Sequence, residues 1–368
     1  MKTTKKQKKS NLKISLLLLL LAAVLLISST YAWFIANSQV QVGTLQVEVK
    51  AVEGIQISED AISWDASIDA TDLKTATDLY TGAVNQLPIV MKPVSTAADA
   101  GQIAGGKLPM FLGDVQSKND EKGNPYNVLT AIAQTEEHML GTTGEETKYY
   151  IAFDMFLKYD GADATKSIYA QGGSGATFAA TEGDNTTKYL ERATRIAFIK
   201  QGTVASGAGA AQAQGLSYNT TTDGTNGFYL WEPNCDQHTD TAKTTAQGHY
   251  GINPATITTA PVAYSGVKAA ITNANDVKID KDAETPKYWT ESSYTDYFKN
   301  APTSRITTVE GFTTNTKLFD ITPGITKIRV YMWVEGQDID CINEASGTNI
   351  KFNLNLTTVA PTAPVVGP

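Results

Sequence analysis

Ile328-Arg329-Val330-Tyr331-Met332-Trp333-Val334 alternates aliphatic residues with long polar or aromatic ones. A period of two marks an extended strand, whose successive side chains point to opposite faces. The pattern returns in Ile350-Lys351-Phe352-Asn353-Leu354-Asn355-Leu356, so two strands of similar length close the chain. The simplest expectation is that these two pair antiparallel. Just upstream, Leu318-Phe319-Asp320-Ile321 leads into the turn Thr322-Pro323-Gly324.

Working back from there, the same reading recurs. Tyr149, Ile151, Phe153, Met155 and Leu157 line one side of a strand, and Ala152, Asp154, Phe156 and Lys158 the other. Ile196 and Phe198 share a face in a strand to which Arg195 and Lys200 contribute polar positions. Phe228-Tyr229-Leu230-Trp231-Glu232 is an aromatic strand stopped by Pro233. Ile55-Gln56-Ile57 and Ala61-Ile62-Ser63-Trp64 read as short strands. Prolines 88 and 93 bracket Ile89-Val90-Met91 and push it to an edge or a connection, because proline cannot donate to a ladder. Residues 95–147 and 200–300 show little pattern and read as loop-rich insertions. Tyr288, Trp289, Tyr294, Tyr297 and Phe298 suggest a satellite aromatic cluster in the second. Many short strands and no alternation of strand with helix predict an all-β protein, a β-sandwich, with one large domain over residues 33–358 and a flexible Pro-rich tail over 359–368.

The N-terminus reads differently. Lys2, Lys5, Lys6, Lys8, Lys9 and Lys13 precede an unbroken apolar run over residues 16–27, followed by Ser28-Ser29-Thr30-Tyr31-Ala32. A basic head, a short apolar core and small residues at −3 and −1 make a secretory signal peptide over residues 1–32, with Thr30 and Ala32 framing the cleavage and Trp33 starting the mature chain. The alternative is a retained membrane anchor, for which the run is short. Beyond it, Val40 and Val42, then Leu45, Val47 and Val49, alternate with a one-residue slip at Gly43-Thr44, as a bulged strand would.

Thr30-Tyr31-Ala32-Trp33-Phe34, a polar spacer and Val42-Gly43-Thr44-Leu45 resemble the start of the TasA/camelysin group. Those are secreted Gram-positive proteins, processed by a SipW-type signal peptidase, with jelly-roll folds. The resemblance covers about the first fifty residues. It implies export, Greek-key or jelly-roll connectivity, and a role in extracellular fibres or biofilm matrix; camelysin is also described as a cell-surface metalloprotease.

Composition narrows the chemistry. Removing the six signal lysines from 30 Lys and Arg leaves 24 against 38 Asp and Glu, a net of −14. So acidic a chain has no basic patch for phosphates and is no nucleic-acid binder. Gly101-Gln102-Ile103-Ala104-Gly105-Gly106-Lys107 fits G-x-x-x-x-G-K, but Leu108 stands where Ser or Thr should ligate magnesium, so it reads as a flexible loop. There is no H-E-x-x-H among His138, His238 and His249, and no G-x-S-x-G; Ser265-Gly266-Val267-Lys268 matches S-x-x-K without its partner motifs. His238 and His249 with Asp236 or Asp240 could meet in a zinc site, although solvated loop histidines are the plainer reading. Asp280, Asp282 and Glu284, and Asp338 and Asp340, are oxygen-rich candidates for calcium without EF-hand spacing. No cofactor is therefore expected. Cys235 and Cys341 are candidates for a disulfide, worth about 4–5 kcal/mol for a loop near 100 residues in the chain-entropy model; two buried free thiols are the alternative.

These readings converge on a non-enzymatic secreted structural protein that assembles by strand addition, with residues Val40, Val42, Leu45, Val47 and Val49 as the donor strand. Its partner would be itself or a related secreted subunit, and the membrane would be met only through the signal peptide. Two alternatives are a camelysin-type protease and a surface module using Trp231, Trp289 or Trp333 as stacking platforms for glycans or proteins.

Overall fold

The computed structural model describes residues 40–49, 54–69, 71–73, 80–119, 121–123, 125–135, 147–178, 190–218, 227–233, 238–240, 242–243, 265–272, 296–300, 306–308, 315–338, 340–341 and 349–361. Thr30, Ala32 and Trp33 lie outside them. In chain order the strands are β1 (Val40–Val49), β2 (Ile55–Ser58), β3 (Asn85–Gln86), β4 (Val90–Met91), β5 (Met110–Asn119), β6 (Pro125–Gln134), β7 (Thr147–Lys148), β8 (Ile151–Tyr159), β9 (Lys166–Ala170), β10 (Gly175–Phe178), β11 (Thr194–Val204), β12 (Phe228–Pro233), β13 (Ser265–Val267), β14 (Phe298–Asn300), β15 (Ile306–Thr308), β16 (Thr316–Ile321), β17 (Gly324–Val334) and β18 (Asn349–Thr357). The protein is all-β, as its alternating segments predict.

Two seven-stranded sheets carry the fold. The first runs β16-β9-β18-β1-β4-β7, with β10 also on β18; the second runs β15-β12-β11-β17-β8-β2, with β3 also on β8. One core joins them: Ile168, Phe319, Phe352 and Leu354 of the first sheet pack with Phe153, Met155, Phe198, Val330 and Met332 of the second. Burial of this much aliphatic and aromatic surface is the main stabilising term.

Three expectations are corrected here. The strands β17 and β18 do not pair. The first is bonded to β11 and β8 and the second to β1, β9 and β10, so they stand in opposite sheets. Alternation states which face of a strand is apolar but not which strand lies beside it, and the connection after Val334 is long enough to cross the core. Residues 95–147 hold a regular hairpin, β5 with β6, in register from Met110↔Gln134 to Asn119↔Pro125. Its polar and small residues blur the period, and its apolar contacts, Phe111, Leu129 and Ala131 with Val267 and Ile271, come from distant segments. Residues 61–64 form a turn rather than a strand. Ser58 Oγ accepts from the Asp60 and Ala61 amides, and Asp60 Oδ1 from those of Ile62 and Ser63, the self-bonding that favours Ser and Asp in turns. Of the suggested aromatic cluster, Tyr297 and Phe298 pack beside the hairpin; Tyr288, Trp289 and Tyr294 lie outside the described residues.

The turn before β17 depends on a glycine. Gly324 has φ +137°, and a Cβ there would lie 2.1 Å from the Val204 carbonyl oxygen. Gly324→Ala is expected to destabilise by more than about 1 kcal/mol, read as a lowered urea midpoint at unchanged slope.

What positions the polar cluster described below is the other side of the second sheet. It is not wet. Val94, Ala98, Ile103, Leu108 and Met110 cover Tyr150, Ala152, Tyr331 and Trp333, while Tyr80 and Ala213 cover Phe156 and Ile325. All eleven residues of β17 are consequently buried.

Candidate functional site

Three neighbouring strands of the second sheet bring charge to this covered face. In β11 the inward side chains Ile196 and Phe198 enter the central core, so Arg195 must point to the opposite face, where its pairing partner on β17 is Trp333. On β12 Trp231 enters the core, which turns Glu232 toward Arg195. Arg195 Nε lies 2.9 Å from Glu232 Oε2, and both side chains are fully buried. Arg195, a polar position in the strand pattern, is thus fully buried.

Beyond Val334 the chain folds back over the same spot. Arg195 Nη2 donates to Asp338 Oδ2, and its Nη1 donates to the Thr194 and Arg192 carbonyls at 2.9 and 3.2 Å. Asp338 Oδ1 accepts the Asp340 amide at 2.9 Å, a turn that sets the two carboxylates side by side. His238 Nδ1 sits 2.8 Å from Asp340 Oδ2 and 3.7 Å from Asp338 Oδ1. Thr239 anchors Asp340 through its amide at 3.2 Å and through its hydroxyl. His238 Nε2 is buried and has no hydrogen-bond partner among the described residues.

The electrostatics follow from this geometry. Burial works to push the His238 pKa down, but the Asp338 charge, the hydrogen bond to Asp340 and the Asp340 charge outweigh it and leave the pKa above its ordinary value. Burial likewise works against ionised Asp340, yet His238 and Thr239 hold it below the usual carboxylate range. Glu335, beside this cluster, is pushed up to about 7, chiefly by burial. It accepts from Trp333 Nε1 at 3.1 Å and from the Gln337 amide at 3.0 Å. Cys341 is a free, buried thiol whose pKa is driven well above the ordinary value by burial and then by Asp338, Glu335 and Asp340. Such a thiol is a poor nucleophile.

A second buried ion cluster lies on the same face of the sheet. Asp154 on β8 receives Arg329 Nε at 2.7 Å and Nη2 at 3.0 Å from β17, with Lys327 Nζ at 3.4 Å and the Tyr80 hydroxyl at 3.2 Å. The Asp154 carboxylate is buried under these donors, which tie β8 to β17.

The structure brings together some of the residues singled out in the sequence and not others. Asp338 and Asp340 do converge, but on an imidazole and a guanidinium rather than on a ring of oxygens. Asp280, Asp282 and Glu284 lie outside the described residues, as do Cys235, His138, His249 and Asp236. Cys341 is a free thiol among the described residues, and Cys235, its candidate disulfide partner, lies outside them. Asp240 is exposed and pairs with Lys243. In the loop of residues 101–107, Ala104 and Lys107 close a bridge, and the Gly106 carbonyl accepts from Gln201 and Arg329, so its backbone braces the sheet. Trp231 and Trp333 are fully buried, which removes them as stacking platforms; Trp289 lies outside the described residues. Sequence reading missed Arg195, Glu232 and Glu335. The signal was there in one form: an arginine within Thr194-Arg195-Ile196-Ala197-Phe198, where every neighbour is apolar or small, needs a buried counter-charge.

Comparison of the chain with protein families, with curated proteins and with solved structures returns no match in any of the three.

Proposed function

We propose that this chain is a secreted structural protein of the cell surface or extracellular matrix that forms fibres by strand addition between copies. The observation that carries the reading is the place of β1. It is the most N-terminal described element, yet it lies inside the first sheet, parallel to β18 from Gln41↔Asn349 to Val49↔Leu356 and antiparallel to β4 at Val40↔Met91 and Gln41↔Val90. The register slips between Val42 and Thr44, at the glycine where the alternation of the sequence slips too. No tight turn ties β1 to either neighbour, so a β1 from a second copy satisfies the same backbone hydrogen bonds. In the monomer this strand fills its own slot; in a fibre it fills the next one.

The resemblance of residues 30–45 to the TasA/camelysin group supports the same reading, together with export, removal of residues 1–32 by a signal peptidase, and jelly-roll connectivity. Removal of the leader would free the donor only after export, which keeps assembly outside the cell.

Deleting residues 33–42 removes the whole of the β1–β4 pairing and leaves the stretch after Gly43 on β18. The expected result is loss of regular filaments in negative-stain microscopy with a monomer that stays folded by circular dichroism. Filaments that persist in the deletion variant sink the strand-addition reading. Casein cleavage by the purified chain, expected to be nil, separates this reading from a camelysin-type protease.

A further inference from the structure

Two buried carboxylates, Asp338 and Asp340, face the buried imidazole of His238 from a single turn. Carboxylates set this close repel each other unless a cation lies beside them, and buried charge without compensation is costly. A proton on His238, or a divalent cation in its place, supplies that charge.

The ligand atoms for such a cation are in place. His238 Nδ1, one oxygen of Asp338 and one of Asp340 lie within 4.8 Å of one another, and all three residues are buried. Asp338 Oδ1 accepts the Asp340 amide and keeps a lone pair; Asp340 Oδ2 accepts the Thr239 amide and bonds Nδ1 directly, a contact that an ion lying between the two atoms would replace. Those amides, with Arg195 on Asp338 Oδ2 and the Thr239 hydroxyl on Asp340 Oδ1, are the orienting partners that metal-binding carboxylates ordinarily have. His238 Nε2 is buried without a hydrogen-bond partner among the described residues, so Nδ1, which faces both carboxylates, carries the ring's polar contacts.

The geometry points to a structural site for one divalent transition-metal ion, zinc in preference to calcium, held by His238 Nδ1, Asp338 and Asp340. One imidazole nitrogen with two carboxylates suits zinc, whereas calcium takes six to eight oxygens, which three side chains of this kind do not supply. Its work is to clamp. His238 follows β12, and Asp338 and Asp340 follow β17, so the ion would tie together two loops at one end of the second sheet. Because the three ligands are buried, the site is closed to a substrate and is not catalytic.

The test uses the full purified chain, stripped with a chelator and then titrated with zinc, manganese, calcium or magnesium alone. One zinc per chain by elemental analysis is expected, with a rise in Tm of about 5 °C or more at saturation and little response to calcium or magnesium. Cobalt in place of zinc should give visible absorption bands of a low-symmetry nitrogen and oxygen site, a signature that does not depend on stability. His238→Gln should abolish both the bound zinc and the cobalt spectrum while the circular dichroism persists; Asp340→Asn serves if that variant does not fold. A folded chain that takes up no zinc overturns the proposal, and so does zinc bound equally by wild type and variants, which would place the ion elsewhere.

Discussion

Arg195→Met is expected to lower the unfolding free energy by about 3–5 kcal/mol, the range for removing one partner of a buried ion pair. Methionine fills much the same volume, so the loss is electrostatic rather than a cavity. Glu232 and Asp338 are left buried beside each other without the guanidinium that now pairs with both. The Thr194 and Arg192 carbonyls lose donors as well. Urea denaturation of the two proteins at equal pH measures the difference. A double-mutant cycle sharpens it: Arg195→Met with Glu232→Gln should cost clearly less than the sum of the single changes, because the second removes one of the stranded charges. Additive effects would mean that the two side chains do not share a network.

Asp154→Asn is expected to be about as damaging, again roughly 3–5 kcal/mol at neutral pH. Asp154 faces Arg329, Lys327 and the Tyr80 hydroxyl, and the amide cannot neutralise two cations brought together at alternate positions of β17. The effect has a signed pH dependence. Burial works to raise the Asp154 pKa, but Arg329 and then Lys327 outweigh it and hold it below the ordinary value. A group with a depressed folded pKa contributes stability that is complete above its unfolded pKa, about 3.9 for Asp, and is lost as the pH falls through the folded value. The gap in Tm between wild type and Asp154→Asn should therefore be full at pH 7 and narrow below about pH 4. A gap independent of pH would assign the loss to packing alone.

How much of this was legible before the structure varies from residue to residue. The faces of β8 were plain, since Ile151, Phe153, Met155 and Leu157 do enter the core together. The bulge in β1 was plain too, because a slip in a period-two pattern has few other causes. The β5–β6 hairpin was not, since its short apolar residues become informative only once Val267 and Ile271 are known to cover them. The cluster around Arg195 was half visible. Asp338 and Asp340 stood out as neighbouring carboxylates, but nothing in their surroundings named Arg195, which is 143 residues away.

The sequence by itself determined the class of fold, because backbone geometry turns a period of two into strands, and side chains without a helical period cannot bury a helix face. It also determined which residues of each strand are apolar on one side. Only the tertiary structure decided which strands are neighbours, that β17 and β18 face each other across the core, and that the second sheet is covered on both sides. Only there do Arg195, Glu232, His238, Asp338 and Asp340 become one buried network. The physical reason is that periodicity is a local property of the chain, whereas pairing, burial of a charge and the partner that offsets it depend on segments that the chain brings together from more than a hundred residues apart.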